Sequence, residues 1–297
     1  MPKTPKFSIV VATRNRSQIL LRALNSVAAQ TFQDFECIVV DDASDTQNIQ
    51  AHLISDNRFI FLRNEVNLGV SGTRLNGYKV ARGEYVVILD DDNLLFPWAL
   101  ERMFVHLSAN TSAMGVSGMY LFENGLRMRM NSSQITITPQ TYAKGQYANC
   151  DMVPALRREA IDEWLSKNQS YFSFDGHPFL TYHMKHKHIY VNEVWGEYLE
   201  DAPNRVTKTP KIRPTKDLRT FRNEHEPIFG KTPCIPLDDF LVIQRLRHKF
   251  RISEDVLYFQ KWLSARGLTF PRVLRIGLLN QLNRSARKKS KITLMSD

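Results

Sequence analysis

The sequence predicts an α/β fold built on a doubly wound sheet, followed by a helical C-terminal extension. Three observations predict it. The runs Phe7 to Ala12, Phe35 to Val40 and Tyr85 to Leu89 are apolar and rich in Val and Ile, as strands buried on both faces are. Segments of helical period alternate with them across short connections. All three runs end in polar or acidic residues, which gathers those residues at one edge of a parallel sheet, the edge where such folds bind ligands.

In chain order, Phe7 to Ala12 is the first strand and Thr13 to Ser17 its turn. Leu20, Leu21, Leu24, Val27 and Ala28 recur at helical spacing, with Ser17 or Asn15 as the expected cap. Phe35 to Val40 is a second strand, ending in Asp41-Asp42-Ala43-Ser44-Asp45, and Phe59 to Leu62 a short third. A helix from about Ser71 to Ala81, closed by Gly83, leads to the Tyr85 strand and to Asp90-Asp91-Asp92. Beyond Pro97 the pattern predicts a helix over Trp98 to Leu107, a strand over Met114 to Phe122, a helix over Arg157 to Leu165, a helix over Phe179 to Lys185 and a short strand over His188 to Val191. Prolines and basic residues then interrupt the periodicity from Ala202 to about Pro236. Helical patterns return over Leu237 to Phe250 and Ser253 to Ala265.

Three adjacent carboxylates repel one another and need a cation or a strong hydrogen-bond network. An isolated acidic run reads equally well as a solvated turn; here the neighbouring strand ends favour a site. The turn at Thr13 and the carboxylate of Asp41 share its edge.

These stretches carry a family resemblance. Ser8-Ile9-Val10-Val11-Ala12-Thr13-Arg14-Asn15-Arg16, Ile38 to Ser44, Asn67-Leu68-Gly69, and Ala81-Arg82-Gly83-Glu84-Tyr85 running into Leu89-Asp90-Asp91-Asp92 resemble family 2 of the nucleotide-sugar glycosyltransferases, whose Rossmann-like fold with a mixed sheet is called GT-A. The resemblance covers residues 7 to about 205 and is strongest up to Pro97. It implies a GT-A domain over 1–205, with a nucleotide-sugar half over about 1–100 and an acceptor half over about 101–205. Residues 206–297 form the linker and the helical, basic extension.

The resemblance implies an inverting transfer from a nucleotide-diphosphate sugar, a UDP-sugar by family expectation, to a glycan or lipid-linked hydroxyl. Asp41 would accept hydrogen bonds from a base or ribose. The turn carrying Thr13, Asn15 and Arg16 would hold the base, and Arg74 would face ribose or phosphate. Asp90 and Asp92, flanking Asp91, match the family's D-x-D, so Asp92 would hold Mn²⁺ or Mg²⁺, with Asp90 touching ribose or metal. Asp175 falls at the family's catalytic base, with Phe174 where a glutamate is usual; Asp151 and Glu159 remain as alternatives. Asp201 stands at the position of a family histidine near the metal or phosphates, which makes it a further candidate metal ligand, and Leu75-Asn76 depart from the usual order after the arginine.

Two other readings stay open. Gly69 to Leu75 imitates the G-x-G-T-R loop of sugar nucleotidyltransferases, although it follows the third strand. A non-catalytic nucleotide-sugar- or glycan-binding relative would share the donor motifs. His183, His186 and His188, interspersed with Lys185 and Lys187, read as a basic solvated face in preference to a metal cluster. Trp98, Tyr120, Phe172 and Phe174 are candidates for stacking on sugar rings.

Composition bounds the setting. Of 297 residues, 43% are hydrophobic and 24% charged, as in ordinary globular proteins. A formal charge of +10 favours anionic partners, and the absence of a recognisable DNA- or RNA-binding module argues against nucleic acid. Cys37, Cys150 and Cys234 are scattered, which predicts a reducing compartment. A polar start and the absence of a long apolar run predict no signal peptide and no membrane span. From Pro271 to Lys291 basic and apolar residues alternate without an acid. That segment reads either as a helix on the anionic inner face of a membrane or as a helix packed on the catalytic domain.

Overall fold

The structure, a computed structural model, describes residues 4–45, 56–122, 132–143, 152–167, 182 and 186–199. All lie in Met1–Pro236, one of two units of the chain; the other, Leu237–Asp297, lies outside the described residues. The expected helices at 237–250 and 253–265 and the basic segment 271–291 fall there.

Strands β1 (Phe7–Thr13), β2 (Phe35–Asp41), β3 (Phe59–Arg63) and β4 (Tyr85–Asp90) are mutually parallel, in the order β3-β2-β1-β4. β1 and β2 are buried almost throughout, and their side chains alternate between two cores. Phe7, Ile9, Val11, Cys37, Val39, Val87 and Leu89 pack on one face with helices α1 (Ser17–Ala28) and α3 (Ala99–Ala109). Val10, Ile38, Val40 and Val86 pack on the other with α2 (Gly69–Val80) and α5 (Arg158–Lys167). Period-two alternation on a strand buried from both sides produces these two layers of helices.

The chain then adds β5 (Asn93–Leu95), β6 (Gly115–Phe122), β7 (Gln134–Ile137), the short helix α4 (Pro139–Ala143), β8 (Met152–Arg157) and β9 (His188–Tyr198). The full order is β3-β2-β1-β4-β8-β6-β9-β5, with β7 paired to β9. β8 runs antiparallel to both β4 and β6, so the sheet is mixed, as the resemblance implied. Periodicity alone did not mark β8, because Pro154 interrupts it. The structure accommodates the proline by ending the β4 ladder at Val87–Ala155, one residue short of the position that has no N–H to offer.

Local chemistry corrects several boundaries. α1 begins at Ser17 with Arg16 at the cap position and no side-chain cap bond; Asn15 instead takes a left-handed backbone, φ 56°. α2 begins at Gly69, earlier than expected, and ends at Val80 with Ala81 at its cap. Gly83 serves a different purpose, since a Cβ there would lie 2.5 Å from the Ser8 nitrogen: the chain passes too close to β1 for a side chain. Gly77 lets α2 settle on the sheet in the same way, for a Cβ would lie 2.5 Å from Val10 Cγ1.

Candidate active site

The chain winds from β1 through β2 to β3, then crosses back over β1 to β4. The reversal puts a topological switch point between β1 and β4, where the carboxyl ends of strands leave a crevice. Register fixes which residues meet there. Thr13 pairs with Asp41 on one side, and Ala12 pairs with Asp90 on the other.

Thr13 is buried and donates from Oγ1 to Asp91 Oδ2 at 2.7 Å. Arg16 follows three residues later, and its Nη1 reaches Asp91 Oδ1 at 2.9 Å and Asp92 Oδ2 at 3.2 Å. Asn15 ties this turn to the one after β2. Its backbone N–H donates to Ser44 Oγ at 2.9 Å, its Nδ2 to Asp45 Oδ2 at 2.7 Å, and its Oδ1 accepts from the Asp45 N–H at 2.8 Å. Asparagine tolerates the left-handed backbone this clamp requires.

Asp41 is buried. Its Oδ1 accepts from the Ser44 N–H at 3.2 Å and from the Ser44 hydroxyl, and its Oδ2 pairs with Arg63. Arg63 also donates to the Ser44 carbonyl at 2.7 Å. Asp42 turns toward α2. It accepts from the N–H groups of Leu68 (2.7 Å) and Gly69 (2.9 Å) and from Asn64 Nδ2 (3.0 Å). Helix α2 has no side-chain cap of its own, so Asp42 satisfies its first donors from outside and meets the positive end of its dipole. Farther along α2, Arg74 pairs with Asp90.

Every carboxylate at this edge therefore has a cation or amide partner. Asp91 is pushed up to about 6, first by burial and also by the Asp92 charge, against the opposing pull of the Thr13 hydrogen bond and the Arg16 guanidinium. Asp92 is buried beside it, whereas the Asp90 side chain is 46% exposed.

Of the residues expected from sequence, Thr13, Arg16, Asp41, Arg74, Asp90, Asp91 and Asp92 converge. Asn15 stands at the same turn, engaged with Asp45. Asp175, Asp151 and Asp201 lie outside the described residues, as do Phe172, Phe174 and His183. Glu159 does not approach the site. Arg157 pairs with Tyr85 at the start of β4, so α5 begins at the opposite edge from Asp90, with Arg158 bonded to the carbonyls of Gly83 and Glu84.

Tyr120 is buried against Tyr198 and is a core aromatic. Trp98, half exposed, donates to the Val194 carbonyl. His188 overturns the solvated-face expectation: it is 1% exposed, with Nε2 2.9 Å from Ser117 Oγ and Nδ1 3.1 Å from Tyr182 OH. Sequence reasoning missed Arg63 and the part played by Asp42. Only the Asp41–Arg63 register of β2 and β3 brings that arginine to the edge.

Residues 8–165, just over half of the chain, match the model for Glycosyl transferase family 2. The chain belongs to this family. This family 2 glycosyltransferase is 38% identical over 123 residues to the GalNAc(5)-diNAcBac-PP-undecaprenol beta-1,3-glucosyltransferase of Campylobacter jejuni, covering 40% of this chain and 39% of that one. It is 33% identical over 111 residues to the putative colanic acid biosynthesis glycosyl transferase WcaA of Escherichia coli K12, covering 36% and 39% respectively. The match thus spans about two fifths of each relative's length. Among solved structures, Staphylococcus aureus TarS 1–349 in complex with UDP-GlcNAc superposes with a TM-score of 0.61 at 18% identity, covering 88% of this chain and 79% of that 1–349 chain. That likeness establishes the GT-A fold of this family 2 glycosyltransferase.

Proposed function

We propose that this protein transfers a sugar from a nucleotide-diphosphate sugar, a UDP-sugar by preference, to a hydroxyl of a glycan or lipid-linked acceptor, with inversion at the anomeric carbon. The convergence of Thr13, Asp41, Arg74 and Asp90–Asp92 at the switch point carries the reading. A base or ribose donating hydrogen bonds suits Asp41, and a diphosphate suits the arginine already drawn to Asp90. A UDP-GlcNAc complex of TarS and an undecaprenol-diphosphate acceptor in the name of the Campylobacter relative support the same substrate classes.

A divalent cation fits the donor set. Asp90 and Asp92 offer hard oxygen ligands, and Mg²⁺ or Mn²⁺ bound by one or two carboxylates takes its remaining ligands from substrate phosphates and water. Donor phosphates would complete the ligand set beside these carboxylates. When bound, the ion would supply Lewis-acid stabilisation of the departing diphosphate. Asp175 would take the proton from the acceptor hydroxyl as that oxygen bonds to the anomeric carbon and the bond to the diphosphate breaks. Asp201 would stand near the phosphates.

The sugar nucleotidyltransferase reading loses its motif. Gly69–Val80 is a helix whose first N–H groups are held by Asp42, so it forms no glycine loop around a triphosphate. No helix among the described residues is long and apolar enough to cross a membrane. A cytoplasmic enzyme working at the inner membrane face, held there by 271–291, completes the proposal.

The test is a panel of nucleotide sugars with Mn²⁺, read as binding and slow hydrolysis, for the parent, Asp92→Ala and Asp175→Asn. One donor binding metal-dependently, lost in Asp92→Ala and bound without turnover in Asp175→Asn, is expected. Donor binding without turnover in the parent, with any acceptor, would instead make the chain a non-catalytic relative.

A further inference from the structure

The acidic edge already holds a cation of its own. A single nitrogen, Arg16 Nη1, lies within hydrogen-bond reach of Asp91 and Asp92 together, bridging carboxylates from adjacent residues. The guanidinium side chain is 11% exposed, and the two carboxylates 7% and 8%, so water screens the contact poorly. An arginine cannot discard its proton to escape repulsion. Its position is fixed from both sides: Arg16 is the cap residue of α1, and Asp91 is held independently by Thr13 Oγ1.

A small dication approaching Asp92 therefore meets a resident positive charge. Across the edge, the carboxylates of Asp41, Asp90, Asp91 and Asp92 face the guanidiniums of Arg63, Arg74 and Arg16, and Asp42 is held by the N–H groups that open α2. Much of their attraction for a free ion is already used. A donor diphosphate brings further negative charge and its own oxygen ligands, which restores the attraction.

We propose that Arg16 is a positioning residue that acts as a tethered counter-cation of Asp91 and Asp92, keeping metal affinity low until a nucleoside diphosphate arrives with the ion. The inference rests on the metal-dependent reading above and deepens it: the sequence put Arg16 against the nucleotide sugar, whereas the contacts put it against the carboxylates. Even with water's full screening, a +1 and a +2 charge roughly 6 Å apart repel enough for about a tenfold change in affinity.

The experiment is Mn²⁺ titration of the full chain by electron paramagnetic resonance, without nucleotide and then with UDP. The parent should bind Mn²⁺ weakly alone and at least about tenfold more tightly with UDP. Arg16→Gln should tighten nucleotide-free binding by about tenfold, whereas Arg16→Lys, which keeps the charge, should stay near the parent. Circular dichroism and thermal melting establish that each variant is folded. A folded Arg16→Gln with Mn²⁺ affinity equal to or below the parent's overturns the proposal. So does a parent that binds Mn²⁺ as tightly alone as with UDP, a result that needs no variant. If the parent binds no Mn²⁺ even with UDP, the metal-dependent reading falls and takes this inference with it.

Discussion

Replacing Asp42 with alanine should destabilise the protein by about 2–3 kcal/mol, and the contacts show how. Asp42 is 4% exposed and accepts three hydrogen bonds, two of them from the opening N–H groups of α2. Loss of an N-terminal cap costs about 1 kcal/mol, and a part-buried Leu68 N–H deprived of a charged acceptor adds about 1–2 kcal/mol. Gly69 suffers less, because its N–H is shared with Asn67 Oδ1 at 2.9 Å. The same arithmetic ranks two further variants. Asp42→Asn keeps an oxygen for Leu68 and Asn64 but sets an amide donor against Gly69, for about 1 kcal/mol. Asn67→Ala leaves Gly69 bonded to Asp42 and should stay within about 0.5 kcal/mol. Urea unfolding at neutral pH, followed by circular dichroism, measures all three. An Asp42→Ala protein within about 0.5 kcal/mol of the parent, or an Asn67→Ala protein less stable than it, would refute the assignment of Asp42 as the external cap of α2.

Other residues yield shorter tests. Gly118→Ala should cost about 2–3 kcal/mol by overpacking, because its Cβ would lie 2.2 Å from Cδ2 of the fully buried Trp195; a variant melting like the parent would show that the strands can separate there. Glu193, held by Arg102, His106 and the Trp195 indole, has its carboxyl lowered from an ordinary 4.5 to about 2, chiefly by Arg102. A depressed pKa contributes stability above pH 4.5 that is lost as pH falls through about 2. With a third of the side chain exposed, the contribution is about 1–2 kcal/mol after screening. The gap between parent and Glu193→Gln in urea should therefore narrow from pH 5 to pH 2, and a pH-independent gap would contradict the ion-pair account. Arg74→Gln should weaken UDP binding about tenfold in calorimetry. Its effect on stability should stay under about 1 kcal/mol, since its partner Asp90 is half exposed; a large stability loss with unchanged UDP affinity would make Arg74 structural.

The parallel strands β1 to β4 were legible because their signals are local. Strands buried on both faces declare themselves in Phe7 to Ala12 and Phe35 to Val40, and parallel order places Thr13, Asp41 and Asp90 together without any knowledge of side-chain contacts. The strands beyond β4 were less legible because they take their identity from neighbours. Asn93–Leu95 is three residues long, and Gln134–Ile137 is a four-residue strip beside β9, exposed over its first two residues. Met152–Arg157 hides behind Pro154. His188 looked solvated among lysines, yet it opens a strand whose first four residues are all buried, and that burial delivers the ring to Ser117 and Tyr182. The partners of the carboxylates were the least legible part. Arg63 reaches Asp41 only through strand register, and Arg16 reaches Asp91 only through a turn held by left-handed Asn15.

Those partners change how the acidic edge should be understood. Five carboxylates crowded at one edge of the sheet, from the ends of β2 and β4, would repel, and the fold meets the problem one by one. Asp42 is given to a helix terminus, Asp41 to Ser44 and Arg63, Asp90 to Arg74, and Asp91 and Asp92 to Arg16, with Thr13 as a second donor to Asp91. The fold thus satisfies these acids without an external ion, so stability and metal binding are separable properties of the same residues. Chelation should leave the melting temperature of the nucleotide-free protein nearly unchanged and lower it only when UDP is present, because a ligand at free concentration L stabilises by RT ln(1 + L/Kd), which vanishes when it binds weakly. A nucleotide-free protein that loses several degrees on chelation would mean that a bound ion, and not the arginines, holds the acids together.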